Sequence, residues 1–160
     1  MAELNDEPIF LTTSGFLQNQ LSTGYLKRLG AWSYLINHST GQNHSSGSSI
    51  NTSNDKMALT AIVRGLQKIQ FQSQIEITVS NEMVMNGVTL WLYAWKKNNW
   101  RTYTGSPVEN KELWQELEKL LDFHTKVTWK LANVTKLRPE THFVNKLCEL
   151  EIASVISGLK

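Results

Sequence analysis

Apolar and polar positions alternate in two different periods along this chain, and the changes of period mark out the elements. IFLT at Ile9–Thr12 is a short apolar run suited to a buried strand, and AWSYLIN at Ala31–Asn37 is a second, rich in aromatic and branched side chains. Between them FLQNQLSTGYLKRLG reads as a loop. HSTGQNHSSGSS at His38–Ser49 is polar and low in complexity, and predicts an exposed hairpin tip before a third strand near Ile50–Thr52. Asn54 then stands as a polar cap before DKMALTAIVRGLQKI, where Met57, Ala61, Ile62 and Leu66 recur at helical steps. QIEITV at Gln74–Val79 alternates as a central strand.

Helical spacing returns over Asn81–Asn98 through Met85, Val88, Trp91, Leu92 and Trp95, interrupted by Gly87, and Pro107 opens a new segment. NKELWQELEKLL at Asn110–Leu121 predicts a helix capped by Asn110, with Leu113, Leu117, Leu120 and Leu121 on one stripe. KVTWKL at Lys126–Leu131 is a fifth strand, Asn133–Arg138 a loop, and Thr141–Ser157 a closing helix. There is no internal repeat. Three strands, a helix, a strand, several helices, a strand and a helix imply a five-stranded mixed sheet flanked by helices, an α/β architecture in one domain over residues 1–160 with loose ends at 1–7 and 158–160.

Composition changes little in this picture. Of the 160 residues 41% are hydrophobic, ordinary for a globular protein with one core, and the formal net charge is +2, too small to name a polyanionic partner. No run approaches the roughly 20 apolar residues that cross a bilayer, and MAELNDEPIF lacks the features of a secretory signal, so a cytoplasmic location without membrane attachment is expected. Cys148 stands alone, which excludes an internal disulfide and a cysteine-based zinc site; in KLCELEIAS it reads as a core residue. His38 and His44 read as solvated loop residues, His124 and His142 as structural or surface ones.

Local sequence sharpens the reading. TSNDKMALTAIVRGLQKI, SNEMVMNGVTLWLYAWKKNNW and PVENKELWQELEKLL resemble the type 1, bacterial-like ribonuclease H segments TNNRMELMAAI-x-AL, DSQYV-x-x-GI-x-x-W-x-x-x-W-x-x-x-x-W and PVKN-x-DLW-x-x-L, and the likeness runs from about Ile9 to Ser157. The resemblance implies the ribonuclease H fold, with a basic helical handle between the central and last strands. It also implies an activity: cutting the RNA strand of an RNA–DNA hybrid with two Mg²⁺ ions about 3.5–4 Å apart.

The resemblance assigns four metal-binding carboxylates to this chain at positions that carry none. Aligning the family motif TDGS with Thr12–Gly15 puts the first Asp at Thr13; the Glu of MEL falls on Ala58, the Asp of DS on Ser80, and the Asp of PEN-x-x-x-D on Asn145. Mg²⁺ is a hard cation held by anionic oxygens, so metal binding is expected to be lost and catalysis with it. The family's loop histidine has no counterpart in NVTKLR. Asp55, Glu82 and Glu140 lie near the old site in sequence and read as solvated acids rather than a rebuilt one.

Binding residues are mixed. Asn54 keeps one residue of the family's NN pair while Asp55 replaces the other, Glu82 replaces a base-reading Gln, Glu109 replaces a Lys, and only Gly24 and Gly30 remain of the glycine-rich loop. Trp91, Lys96, Lys97, Trp100 and Arg101 follow the family's handle, where basic residues interleaved with aromatics track a phosphate backbone. The expected function is a catalytically inactive ribonuclease H-like protein that binds RNA–DNA hybrid or another nucleic acid. A protein-interaction or structural module, and a residual hybrid nuclease, are the alternatives.

Overall fold

The computed structural model describes residues 7–22 and 25–158. The alternation in QIEITV becomes β4 (Gln74–Val79), whose Ile75, Ile77 and Val79 are buried while the intervening residues are not. It is the parallel neighbour of both β1 (Ile9–Ser22) and β5 (Lys126–Leu131), with Ile9 opposite Ile75 and Gln74 opposite Lys126. β2 (Tyr25–His38) runs antiparallel to β1, and β3 (Gly41–Ile50) antiparallel to β2, giving the order β3-β2-β1-β4-β5. This is the mixed five-stranded sheet expected from the pattern of elements.

Two segments read as irregular from sequence are strands. The described parts of FLQNQLSTGYLKRLG, residues 16–22 and 25–30, extend β1 and β2, with Phe16 pairing Ala31 and Leu21 pairing Leu26. HSTGQNHSSGSS is mostly β3, paired with β2 from His38–Gly41 to Leu29–Ile50. Serine, glycine and asparagine have little strand propensity, but the backbone of a long β2 offers a ladder of unpaired groups, and pairing overrides composition.

On one face lie α1 (Asn54–Lys68) and α4 (Lys111–Phe123); on the other lies α5 (Pro139–Ile156). α1 is capped by Ser53, whose side chain accepts from Lys56 N at 3.1 Å, so Asn54 is its first residue rather than its cap. Asn110 before α4 adopts a left-handed conformation (φ 59°) and makes no side-chain capping bond, contrary to the role its sequence context predicts. The core between sheet and helices contains Leu11, Leu59, Ile62, Leu66, Trp114 and Leu117. A smaller cluster under α5 joins Leu29, Ala31, Cys148 and Ile152, so Cys148 is the core residue the sequence predicts.

The stretch Asn81–Asn98 is helical but not regular. α2 (Glu82–Asn86) and α3 (Leu92–Lys97) are joined by a π-helical turn over Gly87–Trp91. A Cβ on Gly87 would lie 2.2 Å from the Trp114 ring. Glycine therefore lets the helix pass over the indole, and the widened turn accommodates the close approach. Among the described residues no helix is long and apolar enough to cross a membrane. The expectation of loose ends falls mainly on residues 1–6 and 159–160, which lie outside the described residues, as does Gly24.

Candidate functional site

Successive side chains of a strand point to opposite faces, and this decides which residue of β1 enters the site. Leu11 packs beside Gly65 of α1, and a Cβ on Gly15 would lie 2.4 Å from the Ala58 backbone. Odd-numbered positions of this stretch therefore face α1. Thr13 belongs to that face; its hydroxyl donates to the Thr78 carbonyl at 3.1 Å within the sheet. Ser14 points the other way, towards α5, and its hydroxyl donates to Asn145 Oδ1 at 2.7 Å.

Ser14, Ser80 and Asn145 line one cavity of about 220 Å³, together with Glu149 and Cys148. Ser80 follows the last residue of β4, and Ala58 meets the chain at Gly15, directly after Ser14. The structure thus gathers Ala58, Ser80 and Asn145 around β1 but brings Ser14, not Thr13, to the cavity. Thr13, chosen by aligning TDGS with Thr12–Gly15, is one residue out of register. Thr13-Ser14-Gly15 also matches T-D-G of that motif, so the correct residue was available in the sequence. Only the side-chain alternation selects between the two alignments.

None of the four groups at this cluster is anionic: two hydroxyls, an amide and a methyl. Neutral oxygens do not replace the hydration shell of Mg²⁺, so these side chains do not fit the pair of ions the fold family uses. The nearby acids are engaged elsewhere. Asp55 Oδ1 accepts from Asn81 Nδ2 at 3.0 Å, and Asn81 in turn caps α2 by accepting from Val84 N at 2.9 Å. Glu149 stands 3.6 Å from Lys146, and Glu140 3.9 Å from Arg138. Glu82 is exposed in the first turn of α2. Among the described residues no group of three or more His, Cys, Asp or Glu side chains is placed to share a metal ion.

Behind the cavity the cluster is sealed by short polar contacts. Ser33 Oγ donates to the Val144 carbonyl at 2.6 Å and lies 3.3 Å from Cys148 Sγ. Burial pushes the Cys148 thiol pKa up, with Glu151 and Glu149 adding to it; contacts with Ser33 and Ser14 oppose that in part. His124 is not near this site: it is buried at the end of α4, where Nδ1 accepts from Ser73 N at 3.2 Å and burial lowers its pKa.

The handle is a separate surface. Trp91 lies tilted against Trp95 at 5.9 Å and Trp95 meets Trp114 edge-on at 5.1 Å, which fixes α3 on α4. Trp100, half-buried and left-handed (φ 60°), donates its N–H to the Trp95 carbonyl at 2.8 Å and accepts from Val108 N at 3.0 Å. These bonds fix the Trp100 backbone, and its half-buried ring packs against the main core. Lys96 pairs with Glu118 at 3.2 Å, Lys97 lies 4.7 Å over the Tyr93 ring, and Arg101 Nη1 donates to the Gly105 carbonyl at 2.8 Å. All three cations remain exposed. Tyr93 and Tyr103, 70% and 98% exposed, add aromatic surface that the tryptophan spacing did not draw attention to. Asn54 is exposed at the start of α1, beside the Asp55–Asn81 link.

Comparison with known proteins accords with this architecture. The family model for RNase H matches residues 22–134. Ribonuclease H of Hydrogenovibrio crunogenus is 38% identical over 100 residues, 62% of this chain and 68% of its own. That of Thiobacillus denitrificans is 38% identical over 111 residues, 69% of this chain and 74% of its own. Among solved structures, LC9-RNase H1, a type 1 RNase H with the type 2 active-site motif, superposes with a TM-score of 0.73 at 17% identity, over 93% of this chain and 74% of that one. The foamy viral protease–reverse transcriptase in complex with RNA/DNA hybrid superposes with a TM-score of 0.74 at 12% identity, over 94% of this chain and 21% of that one. With sheet order, handle and family match in agreement, this chain belongs to the ribonuclease H family, on its type 1, bacterial-like side.

Proposed function

We propose that this protein is a catalytically silent ribonuclease H-fold protein of the cytoplasm that binds RNA–DNA hybrid through its handle and does not cut it. The observation that carries the reading is the 2.7 Å hydrogen bond from Ser14 to Asn145. Two carboxylates in that relation would repel each other and call for a cation between them; a hydroxyl and an amide satisfy each other and call for nothing. The lost positions are Ser14, Ala58, Ser80 and Asn145, with Ser14 taking the place first given to Thr13. No Mg²⁺ and no other cofactor has a part in this function.

Support for binding comes from the handle, where Lys96, Lys97 and Arg101 are exposed among Trp91, Tyr93 and Tyr103. Each phosphate neutralised contributes a slope of about −0.9 in log K against log salt, so full use of the three cations gives about −2.7. Fluorescence anisotropy of a labelled hybrid over a salt series measures that slope, and a denaturing gel of the same samples with Mg²⁺ or Mn²⁺ reads cleavage. Binding with this slope and an intact RNA strand is expected. Cleavage by the unmodified chain refutes the silent reading; no binding at low salt refutes the nucleic-acid reading. In the second case a protein-interaction module takes its place, favoured by the in-chain partners that Lys96 and Arg101 already have. Capture of a protein that survives nuclease treatment would identify that role.

A further inference from the structure

Beside the former catalytic cluster, at the first turn of α5, two cavities of about 210 Å³ and about 500 Å³ share the residues Thr78, Arg138 and Thr141. The smaller is floored by Thr12 of β1; the larger opens past Lys130 and Lys136 over Leu131, Leu137 and Pro139. We propose that this composite pocket binds a phosphomonoester of nucleotide size, with the phosphoryl group at the α5 N-terminus and a flat apolar body over Leu131 and Leu137. The proposal is independent of hybrid binding by the handle.

Four features converge on it. α5 begins with Arg138 at the cap position, which makes no side-chain capping bond, and Pro139 in its first turn; the N–H groups that follow are left for a ligand. Thr141 is only 4% exposed and Thr12 only 7%, yet both line the cavity and neither hydroxyl has a hydrogen-bond partner among the described residues. Neither oxygen is among the fully buried unpartnered atoms, so both hydroxyls of these otherwise buried residues keep access to solvent, where a ligand or water can complete them. Third, Lys130, Lys136 and Arg138 outnumber the acids present, Glu76 and Glu140. Glu76 is held by Lys130 at 3.0 Å and Glu140 stands 3.9 Å from Arg138, which leaves Lys136 as the surplus cation.

The fourth feature is a rigid mouth. Asn133 Oδ1 accepts from both N and Oγ1 of Thr135, at 3.0 and 2.7 Å, and Lys136 N donates to the Asn133 carbonyl at 3.2 Å. Ala132 N is tied to the Val79 carbonyl at 2.8 Å, so the loop that carries Lys136 is anchored to β4. Helix N–H groups, hydroxyls and cations all favour a doubly charged terminal phosphate over a singly charged backbone phosphodiester. Such a group belongs either to a free mononucleotide or to the end of a nucleic-acid strand.

The test follows the amide signals of Glu140 and Thr141 by NMR while inorganic phosphate, a nucleoside 5′-monophosphate, and an oligonucleotide with or without a 5′-phosphate are added. Movement with the monophosphate is expected. A response to the 5′-phosphorylated oligonucleotide alone assigns the pocket to strand ends instead and still supports a phosphomonoester. An equal response to the unphosphorylated oligonucleotide, or none to any probe, overturns the proposal. Thr141→Val keeps the volume and breaks no bond within the fold, so its melting temperature should stay at or above that of the parent. It should weaken binding of the monophosphate about tenfold, as should Arg138→Ala. Affinity that survives both Thr141→Val and Arg138→Ala places the ligand elsewhere and rejects this pocket.

Discussion

At the handle, Trp91 lies tilted against Trp95, Trp95 meets Trp114 edge-on, and Gly87 makes room for the Trp114 ring. Across the sheet, on the α5 face of β1, Ser14 and Asn145 bond to each other where the family places acids. The family model covers the first region and leaves out the second: its match begins at the last residue of β1 and stops before α5. The two regions answer to different physics. Handle side chains fill volume, and a change there opens a void or a clash whatever the protein does. Carboxylates around one cavity repel one another and lose hydration, a strain borne only while a metal compensates it. Neutral groups at these positions carry no such strain and leave the packing around them undisturbed.

The sharpest way to break this contrast is to return the charges. Ser14→Asp, Ala58→Glu, Ser80→Asp and Asn145→Asp together should yield Mg²⁺-dependent cleavage of hybrid at least about a thousandfold above the unmodified chain. The same set with Thr13→Asp in place of Ser14→Asp should stay silent, because that carboxylate would lie on the α1 face. It should also lose several kcal/mol of stability, since Thr13 is 3% exposed and an aspartate there would be a buried charge without a partner. Activity from the Thr13 set and none from the Ser14 set would reverse the assignment of the first-strand position.

On the packing side, Gly87→Ala should cost about 1–3 kcal/mol in a denaturant titration, because its methyl would meet the Trp114 ring at 2.2 Å. A change near zero would mean that the tryptophan stack adapts and is not the constraint inferred here. A smaller effect is expected from single handle charges. Lys97→Ala should reduce the salt slope of hybrid binding by about 0.9, and Lys96→Ala by less, since Lys96 is already paired with Glu118 at 3.2 Å. Equal losses at both positions would show that the Glu118 contact opens on binding.

Sequence reasoning succeeded where side-chain burial alone dictates the element. QIEITV and KVTWKL carry the period-two pattern of strands in one sheet, and α1 and α4 announce themselves by apolar residues at helical spacing. It failed where backbone pairing decides. Nothing in GQNHSSGSSI favours a strand except that β2 lies alongside, with Tyr34 opposite Ser45 and Trp32 opposite Gly47. At Gly47 a side chain would strike the Trp32 ring at 2.6 Å, so the glycine that looks like a flexible-loop marker serves close packing instead. The error at Thr13 is of the same kind. TTSG admits two alignments with one motif, and a shift of one residue turns a strand side chain to the opposite face.

The smallest effects distinguish the two regions by pH. His124, at the end of α4 on the handle's side of the core, accepts a hydrogen bond at Nδ1 from Ser73 N, which requires the neutral ring, and its Nε2 is buried without a partner. Burial lowers its pKa below the ordinary histidine value of 6.5, so the unfolded chain takes up a proton first. Its contribution to stability is complete above 6.5 and is lost as pH falls towards the lowered folded value. Cys148, on the α5 side, does the opposite. Burial, partly offset by contacts with Ser33 and Ser14, raises its pKa above 9.0, so its contribution is complete below 9.0 and is lost as pH rises through the raised value. His124→Gln should therefore flatten the acid limb of a stability–pH curve and leave the alkaline limb alone, while Cys148→Ala should do the reverse. If either variant moves both limbs together, the two clusters are coupled through the sheet, and the division between a preserved handle and an independently altered α5 face no longer stands.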